Sequence, residues 1–312
     1  MRRLLIIAAA GLLLAAATRR PGGQVVRIGY LPIAASLPLY VALDRKMFEA
    51  EGLAPRVTRY GSSDELGHAG TSGKADVMSS LALNVAFDLG RRTGVPFRLF
   101  CANTYSNRPG ETVDHLMVRK GSGIARAEDL KGKRVAAFPG SVSRILFLGM
   151  LGKHGLGEHD VAYTELPPKK WEAALAAGDV DAAFVMEPEA TEIADRGVAT
   201  VLVSGVIAEF FPDAPLSGHW VTGPAGAKLG ARVARAYRRA LELIRADPAA
   251  ARLSYARHTQ VPGSVAARMP LMHWTAEPAE LPGAVQRFAD FLLERQAIAE
   301  RVDASRYVLQ GP

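Results

Sequence analysis

The sequence predicts an α/β fold of two similar lobes that meet at a cleft, and three observations lead there. The first is Lys133-Arg134-Val135-Ala136-Ala137-Phe138-Pro139-Gly140-Ser141-Val142-Ser143-Arg144. It reads as a short buried strand, a Pro-Gly turn and a helix start whose free N–H groups Ser141 or Ser143 can cap. The second is an earlier copy of that unit: Arg27-Ile28-Gly29-Tyr30-Leu31-Pro32, then the small residues Ala34-Ala35-Ser36, opening a helix over about 37–51. The third is Gly-x-x-Asp ahead of an apolar strand, at Gly73 to Asp76 and again at Gly178 to Asp181. Arg27 and Arg134 lie 107 residues apart, and Asp76 and Asp181 lie 105 apart. Two nearly equal offsets predict two copies of one lobe, each offering a strand-to-helix loop to a shared cleft, where open α/β sheets bind ligands.

In chain order, residues 25–30 form the first strand, and Tyr40, Leu43, Met47 and Phe48 recur at helical spacing as ordinary core. A second strand follows over 54–60, and Ser62-Ser63-Asp64-Glu65 is an N-cap cluster. The strand over 76–80 ends in two hydroxyls; the helix over about 81–92 carries Arg91 and Arg92 at its C-terminal end, where cations suit the dipole, and stops at Gly94. The strand 97–101 runs into a polar loop that makes the first crossing, near 105–114. The second lobe holds strands at 115–118, 134–137, 163–166, 182–186 and 200–203, with helices ending at Gly155 and over 171–177. A second crossing near 204–217 leads back through the strand 216–222 to helices over 231–246 and 284–296. The expected division is 24–112 with 214–312 for one lobe and 113–213 for the other. A discontinuous first lobe with two crossings is the architecture of a hinged clam-shell.

The chain has 312 residues, 49% hydrophobic and 22% charged, enough for two cored domains and not compositionally disordered. The net charge is +7, but the basic residues come as scattered pairs such as Lys169-Lys170 and Arg238-Arg239, so no nucleic-acid stripe is present and nucleic acid is not an expected partner. Residues 1–17 have the build of a cleavable export signal: Arg2-Arg3, an apolar run over 4–14, and Ala15-Ala16-Ala17; an uncleaved anchor is the other reading. Cys101 is the one cysteine and sits in an apolar run, which excludes a disulfide, fits a buried thiol and leaves no acylation site behind the signal.

Four stretches carry a family resemblance. These are Ile28-Gly29-Tyr30 with Pro38-Leu39-Tyr40-Val41-Ala42; Phe48-Glu49-Ala50-Glu51-Gly52-Leu53; Asp129-Leu130-Lys131-Gly132-Lys133-Arg134-Val135 followed by Gly140-Ser141; and Gly178-Asp179-Val180-Asp181-Ala182-Ala183 with Glu187-Pro188. In this order they resemble the periplasmic substrate-binding proteins of ABC importers, in the group that includes nitrate, alkanesulfonate, taurine and thiamine-pyrimidine binders. The resemblance covers roughly residues 25–245. It implies a type II periplasmic-binding-protein-like fold, a small-molecule ligand and a permease partner in the inner membrane. By family position the cleft is lined by Pro32, Ala35 and Ser36, by Ser79, Ser80 and Leu81, by Ser141, Ser143 and Arg144, and by Glu187. A fungal relative of the group makes a pyrimidine using a cysteine-rich segment, and nothing like that segment occurs here.

Each of these residues has a plainer reading beside the functional one. Ser141 and Ser143 cap a helix whether or not they touch a ligand. Arg144 can pair with an anionic head, although a helix-surface arginine is more often solvated. Glu187-Pro188-Glu189 resembles a pair of catalytic carboxylates less than acids held at a helix start. Trp220 can face the cleft and stack on a ring, or pack at the hinge; His273-Trp274 is expected to pack. No His/Cys/Asp/Glu group has metal-ligand spacing and no Ser/His/Asp set stands out, so neither cofactor, metal nor catalytic residue is expected.

The expectation is an exported, periplasmic, monomeric solute-binding protein for a small organic anion of the sulfonate or carboxylate type. A neutral aromatic or heterocyclic ligand, such as a pyrimidine vitamin precursor, is the alternative within that class. An enzyme on the same fold is the disfavoured alternative from another. Ala15 and Ala17 place cleavage before Thr18; intact-mass measurement on periplasmic material is expected to give a chain starting there, and a full-length or lipid-bearing mass would refute it.

Overall fold

The two Arg and Asp positions picked out by their offsets are bonding partners. Arg27 lies in strand β1 (Gln24–Tyr30), and its backbone N–H and Nε both donate to Asp76 Oδ2, at 2.9 and 3.0 Å, while the Asp76 N–H returns a 2.8 Å bond to the Arg27 carbonyl. Arg134 repeats the arrangement on Asp181: N–H and Nε to Oδ2 at 3.0 and 3.1 Å, Nη2 to Oδ1 at 2.8 Å, and a return bond of 2.8 Å. In both copies a glycine with positive φ, Gly73 at 71° and Gly178 at 76°, turns the chain out of the preceding helix.

Around the first clamp, in this computed structural model, stand β2 (Leu53–Arg59), β3 (Val77–Ala82) and β4 (Phe97–Tyr105). The structure describes residues 23–139 and 141–310, the side chain of Ser141 excepted. The expected export signal over 1–17 lies outside them. Helix α1 (Leu37–Asp44) and the single turn α2 (Met47–Ala50) replace the one helix expected over 37–51, because Lys46 between them is left-handed at φ 52°. Tyr40 and Phe48 are fully buried, as their spacing requires. Helix α3 (Ser63–Thr71) is capped by Ser62, whose hydroxyl accepts from Glu65 N–H, and α4 (Leu83–Thr93) ends at Gly94.

The second clamp organises β5 (Asp114–Arg119), β6 (Arg134–Ala137), β7 (Ala162–Glu165), β8 (Ala182–Met186) and β9 (Ala199–Ser204). Its helices are α5 (Ser141–Lys153), α6 (Pro168–Ala177), α7 (Glu189–Asp195) and α8 (Val206–Phe210). The chain returns through β10 (Ala214–Thr222) to α9 (Gly223–Ala246), α10 (Pro248–His258), α11 (Gly263–Ala266), β11 (His273–Thr275) and α12 (Leu281–Glu294). The sheets run β11-β4-β10-β3-β1-β2 and β7-β6-β8-β5-β9. The chain changes sheet between β4 and β5 and again between β9 and β10. No described helix is long and apolar enough to cross a membrane.

Two elements run past their expected ends. β4 continues through Asn103 to Tyr105 because β10 and β11 pair with it on both sides. α9 begins eight residues before its expected start of Ala231.

The clamp on Asp181 has a pH signature. Arg134's side-chain bonds, helped by its backbone N–H and its charge and opposed by burial, hold the Asp181 carboxyl down at about 2. An acid held below its ordinary value of about 3.9 contributes stability that is whole above that value and lost as pH falls toward the folded one. Asp181→Asn is therefore expected to cost about 2 kcal/mol at pH 7. Relative to wild type, the variant should also lose less stability between pH 4 and 2. Urea unfolding at the two pH values checks both.

Candidate functional site

β10 is antiparallel to both β3 and β4, and β1 is parallel to β3, so β1, β3 and β4 end where β10 begins, at one edge of the first sheet. The same reasoning gathers the ends of β6, β7, β8 and β9 and the start of β5 at one edge of the second. Both crossings leave from these edges, and Tyr105 donates its hydroxyl to Met186 Sδ at 3.5 Å between them. These are the edges between which the sequence expects the ligand cleft.

On the first lobe the floor is a chain of hydroxyls and one amide. Ser36 donates to the Leu31 carbonyl at 2.7 Å and lies 2.9 Å from Ser80 Oγ. Asn103 Nδ2 donates to Ser80 Oγ at 3.4 Å and to Ser217 Oγ at 2.8 Å. Proton counting fixes the direction. Ser36 has spent its one proton on Leu31, so Ser80 donates to Ser36, and the two Asn103 protons go to Ser80 and Ser217. The Ser217 O–H is then the one donor of the chain left over, and Ser217 is half-buried while Ser36, Ser80 and Asn103 are buried. Ser80 sits at φ 70°, a left-handed conformation that costs a non-glycine residue on the order of 1–3 kcal/mol and gathers at functional sites.

Successive strand residues face opposite ways, so Ser79 points beneath the floor. Its hydroxyl meets His219 Nδ1 at 2.8 Å, and the imidazole packs on the Tyr237 ring at 4.8 Å. His219 Nε2 and the Tyr237 hydroxyl have no hydrogen-bond partner among the described residues. Leu81 and Trp220 also belong to the core, not to the cleft wall where they were expected. Trp220 is 0% exposed, sits edge-on to Phe97 and donates Nε1 to the Leu81 carbonyl at 3.1 Å. Ala35 is buried and its carbonyl accepts from Trp274 Nε1 at 3.2 Å, so Trp274 packs as expected; Pro32 is half-buried at the rim.

On the second lobe two of the four expected ligand groups are occupied. Glu187 is buried, accepts from Thr191 N–H at 3.1 Å and lies 3.3 Å from His115 Nε2, whose other nitrogen is 3.0 Å from Ser204 Oγ. Arg144 pairs with Glu158 and lies over the Tyr163 ring at 5.1 Å. The Ser143 hydroxyl is shielded from water without a partner among the described residues. The side chain of Ser141 lies outside the described residues. Of the eleven expected positions, the structure thus joins Ser36 and Ser80 directly.

Three further groups belong to this region. Asn103 and Ser217 were hidden because both were read as loop or strand-edge residues; their polar character inside an otherwise apolar strand was the available signal. Tyr255 on α10 packs with Tyr40 at 6.2 Å, and Tyr40 with the half-buried Tyr30 at 5.9 Å, forming an aromatic wall next to the floor. Tyr255 is far along the chain from the other two, so nothing in its local sequence marked it. Among the described residues no group of three His, Cys, Asp or Glu is placed to hold a metal.

The profile of the family described as NMT1/THI5 like matches residues 34–251. A curated Escherichia coli K12 protein, described as binding aliphatic sulfonates, is 34% identical over 97 residues, which is 31% of this chain. The match spans 30% of the length of that relative. Among solved structures, the periplasmic aliphatic sulphonate binding protein SsuA from Escherichia coli superposes with a TM-score of 0.75 at 22% identity, covering 93% of each chain. The alkanesulfonate-binding protein SsuA from Xanthomonas axonopodis pv. citri, bound to MOPS, gives 0.71 at 22% identity, over 92% of this chain and 99% of that one. The two-lobe α/β fold read from the sequence is theirs.

The buried imidazole below the floor gives a test. Burial, only partly opposed by the nearby Ala35 backbone, pushes the His219 pKa down to about 3. The unfolded chain takes up this proton near 6.5, so the folded state loses stability as pH falls from there toward 3. His219→Gln is expected to soften the loss between pH 6.5 and 4.5, measured as urea midpoints of the two proteins; parallel curves would contradict it.

Proposed function

We propose that this chain, which belongs to the NMT1/THI5-like family, is an exported solute-binding protein of an ABC importer whose cleft captures a small organic anion of the sulfonate type. The observation that carries this reading is the Ser217 hydroxyl, left as the unspent donor of a polarised chain at the mouth of a buried floor. A sulfonate or carboxylate oxygen accepts such a bond without giving up the chain behind it. The sulfonate-binding descriptions of the relatives favour the same ligand class. On this reading residues 24–112 and 214–312 form one lobe and 113–213 the other, the two turning about their crossings and closing over the ligand. The protein acts as a periplasmic monomer that hands its cargo to a permease and performs no chemistry on it.

The tyrosine wall supports a second reading, a neutral aromatic or heterocyclic ligand stacked on Tyr30. Calorimetric titration with ethanesulfonate, acetate and thymine separates the two. Ethanesulfonate is expected to bind, with Ser217→Ala weakening it about tenfold, the loss of one charge-assisted bond. Asn103→Ala, which unhooks both branches of the chain, should weaken it further. Binding of thymine alone, untouched by Ser217→Ala, would establish the second reading instead.

A further inference from the structure

Away from the cleft, a groove of about 410 Å³ runs between the lobes, lined by Leu148, Gly152 and Lys153 of α5, by Phe210 at the end of α8, and by Phe291 and Arg295 at the end of α12. We propose that it is a second binding site, for a small amphiphilic anion: an aryl or alkyl sulfonate, carboxylate or phosphate whose acid lies between Lys153 and Arg295 and whose apolar part rests on Phe210 and Phe291.

Charge complementarity carries the assignment. Lys153 and Arg295 are the two charged residues of the lining, both are exposed, and no carboxylate lines the groove with them. Neither forms an ion pair with a described residue, and Glu209, the acid beside Phe210, is taken by His154 Nε2 at 3.2 Å. Each cation sits near a helix C-terminus, where the dipole accounts for its presence but leaves its outward N–H groups unused. Arg295 lies over the Phe291 ring at 5.4 Å, which holds its guanidinium at the groove.

The apolar half is as definite. Phe210 and Phe291 are half-buried with ring centres 6.3 Å apart, one from each lobe. Gly149 lets α8 come this close, since a Cβ there would stand 2.5 Å from the Phe210 ring. Gly152 leaves the floor open, with nothing within 4 Å of the position a Cβ would take. The volume falls within the range of about 300–1,000 Å³ that small-molecule sites occupy. Lys153 is twelve residues beyond Ser141, the first residue of α5, about 18 Å along the helix from that end. Because both lobes supply walls, an occupant favours whichever lobe arrangement it fits better, and so couples this groove to opening and closing.

The test uses the full chain and 8-anilinonaphthalene-1-sulfonate, an aryl sulfonate whose fluorescence rises in apolar surroundings. Saturable binding is expected. The double variant Lys153→Gln/Arg295→Gln should weaken it at least tenfold, and Gly152→Leu, which fills the floor, by a similar factor. Ser217→Ala should leave it unchanged, and the groove variants should leave ethanesulfonate calorimetry unchanged, so failure of the cleft reading is separately visible. Circular dichroism confirms that the variants are folded. Unaltered probe affinity in folded Lys153→Gln/Arg295→Gln, absence of saturable binding, or weakening by Ser217→Ala alone would overturn the proposal.

Discussion

Each lobe depends on one carboxylate held by one arginine on the neighbouring parallel strand. Parallel strands have no tight hairpin to set their register, and a slip would carry side chains to the wrong face. In the first lobe the connection from β1 to β3 spans 49 residues at the clamp, and in the second the connection from β6 to β8 spans 47. Asp76 and Asp181 settle the register by binding the backbone N–H and the guanidinium of the same residue. Tyr30 is thereby set opposite Ser79, and Val135 opposite Ala182. The C-terminal ends of the parallel strands are thereby gathered at one edge of each sheet, which is what a cleft between two α/β sheets requires.

The floor follows from that alignment. With β3 held between β1 and β10, Ser79 and Ser80 are committed to opposite faces, one to the neutral imidazole of His219 and the other to Ser36 and Asn103. The strained Ser80 backbone is tolerated because its hydroxyl is bonded on two sides. Asn103 Oδ1 has no partner among the described residues, but both amide protons are spent, and this fixes the chain's direction and presents the Ser217 donor at its end.

How much of this the sequence disclosed depends on distance along the chain. The repeat was legible because both copies keep residue type and spacing, yet nothing local said that Arg27 and Asp76 touch. The fold class and most strands were legible for the same reason. The end of β4 was not: Ala102-Asn103-Thr104 looks like a loop until Ser217 and Thr275 satisfy its side chains from neighbouring strands. Three of the expected site residues show the limit. Arg144, Glu187 and Trp220 have the right chemistry for a ligand, but Glu158, the Thr191 N–H and the Leu81 carbonyl already use it. A sequence shows which groups exist and hides which are spent.

The contacts between the lobes differ in kind, and that difference ranks them for any opening motion. Phe211 stacks on Phe288 and Phe291 at 5.9 and 5.1 Å, an apolar contact that salt does not weaken. Arg268 meets Asp195 in an exposed, two-pronged pair from α7 to the segment after α11. Exposed pairs contribute about 0–1 kcal/mol and are screened by salt. If the lobes part, the Arg268–Asp195 side gives way at little cost, whereas the phenylalanine stack resists until its area is exposed to water. The aromatic side, next to the crossing between β9 and β10, is therefore the natural pivot. The proposed amphiphile groove lies against that pivot through Phe291, so a small displacement there corresponds to a large change in lobe angle.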